Sequence, residues 1–256
     1  MKPFIRIASV AFGCAALLAA QFHLPGTGGG NGDATPAPKP APAPKSSGKP
    51  APDPAPAAPA APVKAPVKGP FDYYVLTLSW APDFCALPEN AAAHPKECAT
   101  GKGIRFVVHG LRPLAAEGAS PESCDSARKP SRGAISIVLP LMPDESLIRR
   151  EWTEHGSCTG LSPADYFTDI LHGRSLAQIP VQFTSLDDTA TETPQQIETQ
   201  FAGANPGFPE GAFRTACSAG MMTEVRVCFD PLMKPRACTA TVSECPAGEL
   251  TVKAPR

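Results

Sequence analysis

Apolar and polar residues alternate from Tyr73 to Trp80. Tyr74, Leu76, Leu78 and Trp80 face one way, the two-residue period of a strand laid on a core. Ile104, Phe106 and Val108 repeat that pattern, with Arg105, Val107 and His109 on the opposite face, and Gly110 and Pro113 are expected to end this strand. From Asp144, placed to cap a helix, the spacing becomes helical. Leu147, Ile148, Glu151, Trp152 and His155 form one stripe, apolar at its start and chemically reactive at its end, and Gly156 stops it. Ser162-Pro163-Ala164-Asp165 opens a second helix with Phe167, Ile170 and Leu171 inward. Thr193-Pro194-Gln195-Gln196 is a capping box for a third, running to about Ala204. Val225, Val227 and Phe229 mark a strand, and Leu250 to Val252 another. Strands and helices mix without regular β-α-β alternation, which predicts an α+β fold.

The N-terminal pattern is different. Lys2 and Arg6 precede an apolar run from Ile7 to Ala20, shorter than the roughly 20 residues of a bilayer crossing, and Ala19 and Ala20 suit cleavage before Gln21. Residues 1–20 therefore read as an export signal, with an uncleaved anchor or lipidation at Cys14 as alternatives. Residues 21–70 are Gly-rich, then rich in Pro, Ala and Lys. They read as a disordered linker whose polyproline stretch reaches on the order of 100 Å. Residues 71–256 remain as one domain, long enough for a sizeable core.

The chain has 256 residues and a net charge of −1, but seven of its basic groups lie in the first 70 residues beside only two acidic ones. The domain is left with 16 basic and 22 acidic groups, a net of −6. That excludes a charge-driven nucleic-acid binder, because such affinity comes from neutralising phosphates, while transient nucleic-acid substrates stay open. With Cys14 set aside, Cys85, Cys98, Cys124, Cys158, Cys217, Cys228, Cys238 and Cys245 are an even set. In an exported chain they read as four disulfides, and no C-x-x-C pair suggests zinc. Their connectivity stays open, although Cys228 and Cys238 suggest nesting inside Cys217 and Cys245.

Reactive groups concentrate in two segments, Phe106-Val107-Val108-His109-Gly110-Leu111-Arg112-Pro113 and Glu151-Trp152-Thr153-Glu154-His155-Gly156-Ser157-Cys158. Glu151 and His155 are four apart and project from one helix face. Two facing imidazoles serve as base and acid in one step, since an ordinary pKa near 6.5 keeps both protonation states available. The chain has five His; His23 lies near the signal, His94 in a loop and His172 at a helix end. Glu151, Glu154 and His155 form an E-x-x-E-H cluster without the second His of a zinc peptidase helix, so no metal or other cofactor is expected.

Together the two segments resemble the signature blocks of the ribonuclease T2 family, approximately F-x-x-H-G-L-W-P and E-W-x-K-H-G-x-C. Tyr73 to Cys85 resembles that family's first strand and its S-W-x-P-x-x-C, and Pro121-Glu122-Ser123-Cys124 its Y-P-x-S-C. The resemblance covers residues 71–256. It implies an α+β fold with a central antiparallel sheet, flanking helices and disulfides Cys85–Cys98, Cys124–Cys158, Cys217–Cys245 and Cys228–Cys238. It implies metal-independent cleavage of single-stranded RNA through a 2′,3′-cyclic phosphate to a 3′-phosphate. His109 and His155 are then the acid–base pair and Glu151 supports the phosphate site. An exported, monomeric protein with no membrane insertion of its mature domain follows.

Three positions depart from the family. Its Lys is Glu154 here, its Trp is Arg112, and Ser120 stands where Tyr is expected before Pro121. A missing cation weakens stabilisation of the phosphorane, and Arg112 or Arg150 is placed to restore it. Arg112, Arg150 and Glu154 are thus the expected substrate-contacting side chains. Lost stacking predicts low base specificity. Glu151 and Glu154 are expected to raise each other's pKa by repulsion and to favour acid conditions. The competing expectation is a weak or inactive RNA-binding homologue. A metal-dependent hydrolase is a third.

Overall fold

Tyr73–Trp80 forms strand β1, buried along its whole length. In the computed structural model, which describes residues 71–117, 119–125, 127–239, 242 and 245–256, this strand is the spine of the molecule. The expected signal (1–20) and linker (21–70) lie outside the described residues. Helices α1 (Ala81–Phe84) and α2 (Pro88–Ala93) follow, then strand β2 (Phe106–Leu114) and helices α3 (Arg132–Val138), α4 (Glu145–Glu154), α5 (Pro163–Leu176) and α6 (Val181–Thr184). Strand β3 (Ala190–Glu192), helix α7 (Pro194–Ala204) and strands β4 (Phe213–Ser218), β5 (Met221–Phe229) and β6 (Leu250–Val252) complete the order.

The strands form one sheet in the order β2-β1-β5-β6-β3, with β4 also paired to β5. The fold is α+β as expected. The sheet is antiparallel except where β5 meets β6 in parallel at Met221 and Thr251, so it is mixed rather than wholly antiparallel. One face carries Tyr74, Leu76, Leu78, Trp80, Val108, Val225, Val227 and Phe229 into the main core, where Ile148, Trp152, Phe167 and Ile170 of α4 and α5 meet them. On the other face, Tyr73 and Val75 pack with Cys228 and Val242. Thr77 and Ser79, also buried, give that face a polar stretch. All four disulfides implied by the resemblance are formed: Cys85–Cys98, Cys124–Cys158, Cys217–Cys245 and Cys228–Cys238.

Several elements differ from the sequence expectation. Strand β2 continues through Gly110 and Pro113 to Leu114. As an edge strand it bonds to β1 alone, so the missing N–H of Pro113 is tolerated. Helix α5 turns Tyr166, Phe167, Ile170 and Gly173 inward and leaves Leu171 half-buried, and His172 lies within it rather than at its end. The capping box at Thr193 and Gln196 forms as expected. Asp144 occupies the N-cap position of α4 without capping it. Its carboxylate instead accepts the backbone N–H groups of Lys96 and Glu97, at 3.4 and 3.2 Å.

Gly156 follows the end of α4, but its role is not a left-handed cap. A Cβ there would sit 2.6 Å from Cε3 of Trp152 and 2.8 Å from Cδ1 of Tyr166. Those rings are wholly buried, and each is held by a hydrogen bond: Trp152 Nε1 donates to Arg128 O, and Tyr166 Oη to Leu111 O at 2.9 Å. Gly156→Ala therefore overpacks a locked aromatic pair and is expected to cost about 1–3 kcal/mol in urea denaturation. An unchanged midpoint would mean that the rings separate freely.

Candidate active site

The register of β1 against β2 places Thr77 opposite Gly110 and Leu78 opposite Val108. His109 is the extra residue, a bulge that re-aims its side chain. Its Nε2 lies 2.8 Å from Oε2 of Glu97, whose side chain is 1% exposed, while the His109 side chain is 12% exposed. Ser79 Oγ donates to the other oxygen of Glu97 at 3.0 Å. The His109 ring meets Phe84 edge-on at 4.5 Å and stacks with His94 at 5.6 Å and 18°. A carboxylate on Nε2 fixes which nitrogen carries the proton and turns Nδ1 away from Glu97.

Glu97 is held from three sides. The Cys85–Cys98 disulfide closes its segment, Asp144 holds its backbone N–H, and Ser79 comes from the middle of the sheet. None of these contacts is visible as a motif. Glu97, Ser79 and Asp144 were missed as site residues because they meet only in the fold. His94 was expected in a loop. It is the C-cap of α2 and is buried against His109.

The second imidazole comes from α4. His155 is the C-cap, its N–H bonded to Glu151 O at 2.9 Å, and it is 5% exposed. Its Nε2 lies 3.9 Å from Oε2 of Glu154. Glu151, Glu154 and His155 each offer a donor atom within 4.8 Å of the others. Ser123 N donates to Glu154 O, and Ser157 Oγ accepts from Cys124 N and Asp125 N, so the Pro121–Cys124 segment is tied to the end of α4. Both His rings are more covered than a pair facing across an open cleft.

Glu151 connects the two halves. It lies against Gly110, next to His109, and a Cβ on Gly110 would run into its carboxyl group. Burial pushes its pKa up from 4.5 to about 8; Arg112 and Arg150 pull it down, and Glu154 and Glu224 add smaller upward pushes. The expected repulsion from Glu154 is thus present but secondary to desolvation. Burial therefore favours the protonated form of Glu151 around neutral pH.

The remaining predicted residues are placed as follows. Arg112 is exposed, with Nη2 4.0 Å from Oε1 of Glu122. Arg150 is exposed on α4 and close enough to act electrostatically on both Glu151 and His94. Ser120 Oγ accepts the N–H of Ala115 at 3.1 Å, so that position serves a turn. All eight domain cysteines are in disulfides and offer no thiolate to a metal.

The model of the Ribonuclease T2 family matches residues 71–238. A probable ribonuclease of Haemophilus influenzae is 32% identical over 133 residues, 47% of this chain and 48% of that protein. A ribonuclease of Aeromonas hydrophila is 39% identical over 98 residues, 38% of this chain and 42% of that protein. The chain thus spans under half the length of these two curated relatives. In fold it is similar to the RNase-related protein from Calystegia sepium, with TM-score 0.55 and 23% identity over 72% of this chain and 97% of that one.

The Glu151 shift has a stability consequence. Its carboxyl binds a proton more tightly folded than unfolded, so the stabilisation is full below pH 4.5 and is lost as pH rises through about 8. At about 1.4 kcal/mol per pH unit across that window, the loss reaches several kcal/mol. Glu151→Gln is expected to flatten this part of the stability–pH curve in urea denaturation. A variant with the parent slope would place the titration elsewhere.

Proposed function

Because the chain belongs to the Ribonuclease T2 family, we propose that it is an exported, metal-independent endoribonuclease acting on single-stranded RNA. The ribose 2′-oxygen attacks the adjacent phosphorus as His155 takes its proton, and the 5′-oxygen leaves with a proton from His109. The 2′,3′-cyclic phosphate is then opened by water to a 3′-phosphate, with the two imidazoles in reversed roles. Every proton taken in the first step is returned in the second, so the enzyme is restored.

The observation that carries this reading is Glu151 lying across Gly110. Its carboxyl meets the neighbour of His109, whose ring is held by Glu97, and lies within 4.8 Å of the ligand atoms of Glu154 and His155, which supports the pairing of the two histidines. Glu97 is a positioning residue, since it acts through His109. Arg112 and Arg150 serve the phosphate in place of the family Lys, where this chain has Glu154. Base preference is low, because a guanidinium and a turn serine stand where stacking rings are expected. Four disulfides support an oxidising, extracytoplasmic setting, and no helix among the described residues is long and apolar enough to cross a membrane. The catalytic domain works as a monomer.

Acid conditions favour turnover, for a reason different from the one the sequence suggested. Glu151, rather than Glu154, is the carboxyl held neutral, and its ionisation would set a negative charge beside the phosphate.

RNA oligonucleotides in EDTA should give cyclic-phosphate ends. His109→Ala and His155→Ala should each lower the rate by about 10²–10⁴ while the protein stays folded by circular dichroism. The wild-type rate is expected to fall as pH rises through about 8, and Glu151→Gln should lose that limb. Intact RNA at every pH from acid to neutral overturns the proposal, and chelator-sensitive cleavage overturns its metal independence. Glu154→Lys is expected to speed cleavage; an unaltered rate would show that the two arginines already supply the charge.

A further inference from the structure

Beside His109 lies a second cluster, of which the proposed reaction uses only Glu97, and that through His109. His94, Glu97 and Asp144 are all buried, and each offers a ligand atom within 4.8 Å of the others. Buried carboxylates need compensation, and here it is incomplete on the histidine side. His94 is 7% exposed, yet its Nδ1 has no hydrogen-bond partner. The ring that carries this open nitrogen offers a ligand atom within 4.8 Å of two buried carboxylates, and buried polar atoms are otherwise paired in folded proteins.

We propose that His94, Glu97 and Asp144 form a binding site for one divalent cation of borderline hardness, such as Zn²⁺, that is separate from the reacting groups. One imidazole nitrogen and two carboxylate oxygens are a donor set such an ion takes, with a further position left for water. Donors about 2.1 Å from a tetrahedral ion lie about 3.4 Å from one another, so the three groups must close by no more than about 1.4 Å. A cavity of about 90 Å³ borders one member of the cluster, Glu97, beside Ala81, Cys85, Cys98, Ile104 and Arg256.

Two of the donors, His94 and Glu97, lie in the loop closed by Cys85–Cys98, and the third, Asp144, at the start of α4. A bound ion clamps that loop to the helix that delivers Glu151 and His155. It also draws on Glu97 Oε2, the atom that holds His109. The ion is thus a stabilising ligand that competes for the positioning carboxylate, not a participant in turnover.

The test is calorimetric titration of the disulfide-bonded, full-length chain with Zn²⁺, in parallel with thermal unfolding. The expected result is one Zn²⁺ per chain and a midpoint that rises with Zn²⁺ concentration. His94→Phe keeps an aromatic ring against Phe84 and His109 and removes both nitrogens. It should weaken Zn²⁺ binding by about 100-fold or more and abolish the midpoint rise. Asp144→Asn, which keeps the shape of that side chain, should weaken binding as well, so the proposal does not hang on one variant's folding. Failure of Zn²⁺ to bind overturns the site. Binding that survives both substitutions also overturns it, placing the ion at Glu151, Glu154 and His155 or elsewhere. Because the readouts are binding and unfolding, the result stands whether or not the chain cleaves RNA.

Discussion

Glu151 lies against the backbone of Gly110, in space that any Cβ would fill, and the rest of the site is arranged around that contact. It sets the distance between an edge strand and a helix end. It also drives a carboxyl group out of water, which is why its proton is held to about pH 8. The contact needs glycine at 110 and a helix that ends within one turn of residue 151. The sequence satisfies both: the bulge at His109 brings Gly110 to the contact, and α4 stops at Glu154. Packing supplies the force, since Ile148 and Trp152 are fully buried on the same helix and hold it on the sheet.

The loop from Cys85 to Cys98 plays the matching part for His109. A short strand tip cannot hold an imidazole by itself. Here the ring is fixed by a buried carboxylate, an edge-on phenyl group and a stacked second imidazole, all from that loop or the helix before it. The disulfide shortens the loop's accessible conformations in the unfolded chain, and Asp144 and Ser79 fix its carboxylate in the folded one. The side chain expected to cap α4 is spent on this loop instead. A local helix-capping bond is exchanged for a long-range tether between the two halves of the site.

Much of this was legible in the chain. The alternation in β1, the stripe of α4 and the capping box of α7 report burial through a period that a window of residues reveals. The reactive blocks carried His109, Glu151 and His155 because their neighbours are part of the pattern. What stayed hidden depends on long-range geometry. Strand β4 has no clean alternation, and β3 is three residues long, so pairing with neighbours rather than propensity makes them strands. Glu97 sits in a stretch of turns where a carboxylate ordinarily faces solvent, and nothing local signals that it is covered. A glycine after a helix usually marks its stop, but the constraint at Gly156 is the Trp152 and Tyr166 rings, one of them on another helix.

The substitution of Glu154 for the family Lys also reads differently once burial is known. Taken from sequence, two carboxylates beside His155 would leave that helix end with excess negative charge. Burial removes one of those charges, because it is cheaper to keep a proton on Glu151 than to ionise it in a low-dielectric contact. The charges acting on Glu151 are then Arg112 and Arg150 against Glu154 and Glu224, with Arg112 also shared with Glu122. Ionising Glu151 would add one more negative charge to that set. The carboxylate at 154 is therefore easier to accommodate while residue 151 stays neutral, which couples this departure from the family motif to a buried carboxyl three residues away.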